Sequence, residues 1–69
     1  MATKFIIDAS NQIKYDIDYN ISTRVVRYFR IYDKVYYDRD GKIENPGWIQ
    51  LLNEVNRELS LDLTPPEKF

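Results

Sequence analysis

Residues 24–37 read RVVRYFRIYDKVYY, and the conformation of this stretch decides the fold. Nine of its fourteen residues are β-branched or aromatic, a composition that favours an extended strand. A helix is the rival interpretation. On a helical wheel, the apolar and aromatic residues of the stretch share one side: Val25, Tyr28, Phe29, Tyr32, Val35 and Tyr36. We favour one long strand, because it leads into Asp40-Gly41, where glycine suits the positive φ of a hairpin turn before a return strand near 42–44.

The preceding residues predict an antiparallel hairpin. Residues 4–8, KFIID, read as a short apolar strand, and residues 9–12, ASNQ, suit a turn. Residues 13–19 alternate strictly between two faces, which is typical of a half-buried strand. One face carries Ile13, Tyr15, Ile17 and Tyr19, and the other carries Lys14, Asp16 and Asp18.

The following residues predict a helix over 46–59. Asn45 is a suitable N-cap and Pro46 a suitable first helical residue. The apolar residues then recur at helical spacing and form one stripe: Trp48, Leu51, Leu52, Val55 and Leu59. This register places Trp48 in the core. Pro65-Pro66 cannot continue a helix, so we expect an extended tail in which Leu61 and Leu63 pack back.

These elements predict an α+β fold, a small antiparallel sheet of three to four strands with one C-terminal helix packed on one face. With 69 residues, the chain has room for one domain. We assign residues 1–69 to it, with an ordered core over about 4–60 and an extended tail over 61–69. Hydrophobic residues make up 43% and charged residues 30%, which fits a globular protein.

The composition excludes several classes of function. Cysteine and histidine are absent, which rules out a thiol nucleophile, a disulfide, a Cys/His zinc site and a Ser-His-Asp triad. The acidic residues Asp38, Asp40 and Glu44 do not match the spacing of a calcium loop. We therefore expect no catalytic, cofactor or metal residues and no enzymatic activity. The apolar run 5–7 is too short for a signal peptide or a membrane span, so the predicted location is cytoplasmic.

The long middle strand supplies the candidate binding surface. Charge concentrates there: residues 21–37 carry four basic residues and one acidic residue, whereas residues 38–69 carry four basic and seven acidic residues. With Phe29, Ile31, Val35 and Tyr37 pointing inward, the outward residues form a basic and aromatic ladder. That ladder consists of Arg24, Tyr28, Arg30, Tyr32, Lys34 and Tyr36. The structural alternative is that Asp16 and Asp18 pair with Arg30 and Lys34 across the strands.

Such a ladder fits a small non-enzymatic module that binds a protein, because Tyr and Arg are enriched at binding hot spots. A regulator or inhibitor of a larger macromolecule, in the manner of phage-encoded inhibitors, is the predicted role. The alternative is a module for single-stranded nucleic acid, with bases stacked on Tyr rings and phosphates bound by Arg and Lys. A net charge of -1 weighs against that alternative. A third hypothesis is a homo-oligomer built by pairing strand edges.

Overall fold

The computed structural model describes residues 2–66. It contains five strands followed by one helix: β1 (Ala2–Ile7), β2 (Ile13–Tyr19), β3 (Val26–Ile31), β4 (Lys34–Asp38), β5 (Ile43–Glu44) and α1 (Trp48–Leu59). The strands form one sheet in the order β1-β2-β3-β4-β5, and each neighbouring pair is antiparallel. The predicted α+β fold is confirmed, with five strands in place of three to four.

The β1–β2 hairpin forms as predicted, and its loop is stabilised by one carboxylate. Oδ1 of Asp8 accepts hydrogen bonds from the backbone N–H groups of Ser10 at 2.9 Å and Gln12 at 3.0 Å. The hydroxyl of Ser10 donates to the same oxygen at 2.8 Å. Asn11 takes a left-handed conformation with φ 68°, which Asn tolerates better than most residues. Residues 8–12 therefore close the turn through hydrogen bonds to the Asp8 carboxylate.

The stretch 24–37 is extended, as its composition predicts, but it is not one strand. A two-residue turn at Tyr32-Asp33 divides it into β3 and β4, so the prediction of a continuous strand is wrong. Tyr32 adopts φ 52°, a left-handed conformation that is uncommon for a bulky side chain. Two contacts to the first hairpin hold it there. The backbone N–H of Tyr32 donates to the carbonyl of Lys14 at 2.7 Å, and its hydroxyl donates to Asp8 at 2.9 Å.

The return strand near 42–44 is confirmed as β5, but Gly41 does not supply the positive φ of the turn. Lys42 supplies it, with φ 55°. Gly41 has a different reason to be small, because a Cβ there would lie 3.0 Å from the Asp38 carboxylate. That carboxylate accepts hydrogen bonds from the backbone N–H groups of Asp40 and Gly41.

Helix α1 begins two residues later than predicted, at Trp48. Asn45 is not its N-cap, because the Asn45 side chain instead donates to the carbonyl of Val35 at 2.9 Å. Pro46-Gly47 forms a turn, and Gly47 has φ 82°, which favours glycine. The predicted C-terminus at Leu59 is confirmed. Within residues 2–66, no helix has the length and apolar character needed to cross a bilayer.

The core lies between α1 and one face of the sheet, which we call the covered face. Its buried residues come from β2, β3, β4, α1 and the segment after the helix: Tyr15, Ile17, Val26, Phe29, Tyr37, Trp48, Leu52, Val55 and Leu63. Trp48 is 2% exposed, so its predicted core position is confirmed. Its ring stacks on that of Tyr37 with centroids 4.4 Å apart. The indole N–H donates to Glu44 at 3.1 Å, so the polar atom of this side chain is also satisfied.

The segment after α1 forms hydrogen bonds with both the helix and the sheet. The side chain of Asn56 donates to the carbonyl of Leu63 at 2.8 Å and accepts from its N–H at 3.1 Å. Thr64 pairs with Val25 in a parallel bridge. The predicted packing of Leu63 is confirmed, and Leu61 is partly buried against the core. The remainder of the predicted tail, residues 67–69, lies outside the described residues.

Candidate protein-binding face

The candidate site is the side of the sheet turned away from α1, which we call the open face. Directly opposed residues share a face, so the strand registers define three rows across the open face. The rows are Thr3, Asp18, Tyr28, Asp38 and Ile43; then Phe5, Asp16, Arg30 and Val35; then Ile7 and Ile13. No helix or strand of residues 2–66 packs over these rows.

One corner of the open face is apolar. Phe5 is 54% exposed, Ile7 57% and Ile13 41%. Ile7 and Ile13 are directly opposed, and Phe5 lies two residues from Ile7 on the same side of β1. We call these three residues the apolar corner. Contiguous exposed apolar side chains commonly mark interaction sites. The prediction that Ile13 shares a face with Tyr15 and Ile17 is wrong, because the register shifts between Ile6 and Ile7 and leaves Lys14 as an extra residue of β2.

The apolar corner was not predicted from the sequence, although the sequence contains a signal for it. Three consecutive apolar residues in β1, Phe5-Ile6-Ile7, must point to both sides of the sheet. Ile6 packs against the core, which leaves Phe5 and Ile7 on the open face. An apolar run in a strand covered on only one side therefore indicates apolar residues exposed to solvent.

The centre of the open face is polar and acidic, not basic. Arg30 forms an ion pair with Asp16 at 3.2 Å, which confirms this predicted cross-strand pair. Asp18 does not meet Lys34: it lies opposite Tyr28 and accepts a hydrogen bond from Thr3 at 3.4 Å. The three rows carry three carboxylates and one guanidinium. The prediction of a basic ladder on this face is therefore wrong.

Only two of the six predicted site residues, Tyr28 and Arg30, lie in the rows of the open face. Arg24 precedes β3 in a loop, has φ 64°, and forms an ion pair with Asp62 at 3.2 Å. The structure therefore does not bring the predicted ladder together on one surface.

A bulge in β4 explains why Lys34 and Tyr36 are misplaced by the sequence prediction. Phe29 pairs with Tyr37 and Arg30 pairs with Val35, so Tyr36 is the extra residue. It packs against the core with its ring centroid 6.2 Å from that of Phe29, and the Lys34 ammonium lies 4.9 Å from the Tyr36 centroid. Val35, predicted to point inward, shares the row of Arg30 on the open face. A bulge interrupts strict alternation, and the alternation pattern in the sequence does not show where that happens.

Tyr32 lies in the β3–β4 turn and borders the open face at the end occupied by Ile7. Its hydroxyl donates to Oδ2 of Asp8, the residue after Ile7. This hydrogen bond, together with desolvation, raises the pKa of Tyr32. The pKa of Asp8 falls to about 2, chiefly because the Ser10 hydroxyl and the Gln12 N–H donate to it, with a further contribution from Tyr32. The carboxylate is thus fixed in its charged form at neutral pH.

No family model, no curated protein and no solved structure matches the chain. Among residues 2–66, no group of three or more carboxylates is arranged to hold a metal ion. What the open face offers chemically is an apolar corner beside a tyrosine and an ion pair whose side chains are 30% and 17% exposed.

Proposed function

We propose that the chain is a small, non-enzymatic protein-binding module that docks through its open face, with the apolar corner at the centre of the contact. The observation that carries the proposal is the exposure of Phe5, Ile7 and Ile13 side by side on a sheet face without a covering layer within residues 2–66. Folding does not require these side chains to be apolar, because the core is assembled on the other face. A partner that covers these side chains would explain why they are apolar.

The energetics support this use of the corner. Burying a large apolar side chain contributes about 1.5–3 kcal/mol, and all three residues are mounted on paired strands that lose little freedom on binding. Tyr28 and Arg30 in the adjacent rows are of the residue types enriched in hot spots. The acidic surroundings favour a partner surface that combines apolar and basic groups.

A module of this kind acts by covering a functional surface of its partner. We propose the role of a regulator or inhibitor of a larger protein, in the manner of phage-encoded inhibitors. The cytoplasmic location remains a prediction from the sequence.

Single-stranded nucleic acid is the alternative ligand for the same face. Phosphate binding depends on clustered Lys and Arg, and the open-face rows contain one Arg against three Asp. Arg30 is already paired with Asp16. These charges favour a protein ligand, so nucleic acid becomes an outcome that the experiment must distinguish.

The experiment compares partner capture from a lysate of the source cells by the immobilised chain and three variants. Phe5→Ala and Tyr28→Ala alter the open face. Ile21→Ala is the matched control, because Ile21 is 64% exposed and lies in the loop between β2 and β3. Each capture is repeated after nuclease treatment.

We expect a protein that is retained by the wild type and Ile21→Ala but lost or reduced with Phe5→Ala and Tyr28→Ala, with or without nuclease. Affinity for the purified protein should fall by at least about 1 kcal/mol in each open-face variant. Equal capture by all variants would refute the open face as the site. Recovery that depends on intact nucleic acid would favour the alternative ligand.

A further inference from the structure

Strand β1 forms one edge of the sheet and differs sharply from the other edge. It has six residues, and β2 is its sole partner among residues 2–66. The opposite edge, β5, has two residues. An edge strand presents unpaired N–H and C=O groups to any further strand. In β1 these groups accompany three consecutive apolar side chains and one charge, Lys4.

We propose that β1 pairs antiparallel with β1 of a second copy, so that two chains form one continuous ten-stranded sheet about a two-fold axis centred on Ile6. This inference goes beyond the proposed function, because it concerns the chain alone and requires no other protein.

The register follows from comparing three axes, at Lys4, Phe5 and Ile6. A two-fold axis perpendicular to the sheet keeps the open faces of both copies on the same side, and it must pass beside one residue of β1. An axis at Lys4 places two ammonium groups opposite each other, which is unfavourable. An axis at Phe5 places Lys4 opposite Ile6 and the exposed Ile7 opposite Thr3. The axis at Lys4 also places Phe5 opposite Thr3. The axis at Phe5 pairs the two Phe5 rings but gives Lys4 no opposite charge.

An axis at Ile6 supplies both an apolar pair and a pair of opposite charges. Phe5 then lies opposite Ile7 of the second copy, so two side chains that are each more than half exposed cover one another. Lys4 approaches Asp8 of the second copy. The Asp8 carboxylate is held within its own loop, so this attraction acts between neighbouring charges without replacing the existing hydrogen bonds.

The pairing also unites the two apolar corners. Phe5, Ile7 and Ile13 of each copy become one strip on the common open face, and Tyr28 in each copy remains clear of the axis. Because the operation is two-fold and isologous, it closes without forming a fibre. The assembly would end at β5 on either side.

The first test is sedimentation equilibrium of the purified chain over a wide range of concentration. We expect a reversible monomer–dimer equilibrium. Lys4→Glu should raise the dimer dissociation constant about tenfold, because it replaces two attractive cross-strand pairs by two repulsive ones. Lys42→Glu is the matched control, with the same change of charge in the distant turn before β5, and should leave the constant unchanged.

The second test maps the register by disulfide formation. Because the chain has no cysteine, an introduced cysteine can form a disulfide only with its copy in a second chain. Directly opposed Cβ atoms in antiparallel strands lie about 4.5–5.5 Å apart, close to the separation that a disulfide needs. Ile6→Cys should therefore cross-link faster under mild oxidation than Phe5→Cys. Ile49→Cys, on the exposed side of α1, should cross-link slowest.

A wild type that stays monomeric throughout, or equal dissociation constants for Lys4→Glu and Lys42→Glu, would overturn the proposed pairing. Faster cross-linking of Phe5→Cys would overturn the register. If Ile6→Cys does not fold, the Lys4→Glu comparison still decides the pairing. Tyr28→Ala separates the two proposals, because it should lose the protein partner and keep the dimer.

Discussion

The two faces of this sheet are formed by the same strands, but only one of them is buried. On the covered face, Ile17 and Phe29 are fully buried beneath α1. On the open face, one strand away, Phe5 and Ile7 are more than half exposed. A chain of this size assembles one two-layer core, so the apolar residues of the second face are not explained by the stability of the single chain.

The two faces also differ in where their polar groups lie. On the covered side, polar atoms are bonded at the rim of the core: Tyr15 donates to Glu58 at 3.2 Å, and Trp48 donates to Glu44 at 3.1 Å. On the open face, the Arg30–Asp16 pair lies at the centre of the surface. The comparison predicts that substitutions on the covered side change mainly stability, whereas substitutions on the open face change mainly association.

The largest expected effect is on the covered side. Trp48→Ala removes a ring that is 2% exposed and stacked on Tyr37, and should lower the free energy of unfolding by about 3–5 kcal/mol. Chemical denaturation measures it. The neighbouring Ile49→Ala is the control and should change stability by less than about 0.5 kcal/mol. Similar losses in both variants would contradict the division between covered and exposed sides.

A smaller loss is expected where the terminal segment closes the core. Asn56→Ala leaves the backbone N–H and C=O of Leu63 without the two hydrogen bonds that they form with this side chain. The free energy of unfolding should fall by about 1–3 kcal/mol. Asn53→Ala, at an exposed position of the same helix, should be nearly neutral. If the two variants are equally stable, Asn56 does not hold the terminal segment in place.

On the open face, the Asp16–Arg30 pair should contribute less. A double-mutant cycle with Asp16→Asn and Arg30→Gln should give a coupling energy of about 0.5–1 kcal/mol, because both side chains retain contact with solvent. The more exposed Arg24–Asp62 pair provides the comparison and should couple more weakly. A stronger coupling for Arg24–Asp62 would contradict the view that partial burial strengthens the open-face pair.

The smallest effect concerns Asp8, at the end of the sheet where the β1–β2 loop contacts the β3–β4 turn. Its pKa is lowered from the ordinary value of 3.8 to about 2. Because the folded state holds the charged form, its contribution to stability is present above about pH 4 and is lost as the pH falls towards 2. Carbon NMR of the carboxyl group against pH measures this titration. Ser10→Ala should raise the pKa most and Tyr32→Phe less, whereas an unchanged pKa in both variants would contradict the hydrogen bonds.

The sequence predicted elements that depend on local pattern. Strict alternation identified β2, and the spacing of Trp48, Leu52 and Val55 identified α1 and its buried side. Cross-strand reasoning also found the Asp16–Arg30 pair. These successes share one cause, which is that each pattern reports on residues a few positions apart.

The candidate site was harder to predict from the sequence. The β3–β4 turn at Tyr32-Asp33 contains neither glycine nor asparagine, the residues that usually mark a two-residue hairpin loop. Tyr32 is held in its left-handed conformation by Lys14 and Asp8, which are distant in sequence. Without that turn, the pattern cannot show that Tyr36 faces the core.

The sequence by itself determined the fold class, the β1–β2 hairpin, the helix and its buried stripe, because periodicity encodes which side of an element avoids water. The tertiary structure decided where the middle stretch turns, where its bulge falls, and therefore which side chains share the open face. Those features depend on hydrogen bonds and packing between residues far apart in the chain. A one-residue shift in pairing is enough to exchange the two faces of a strand.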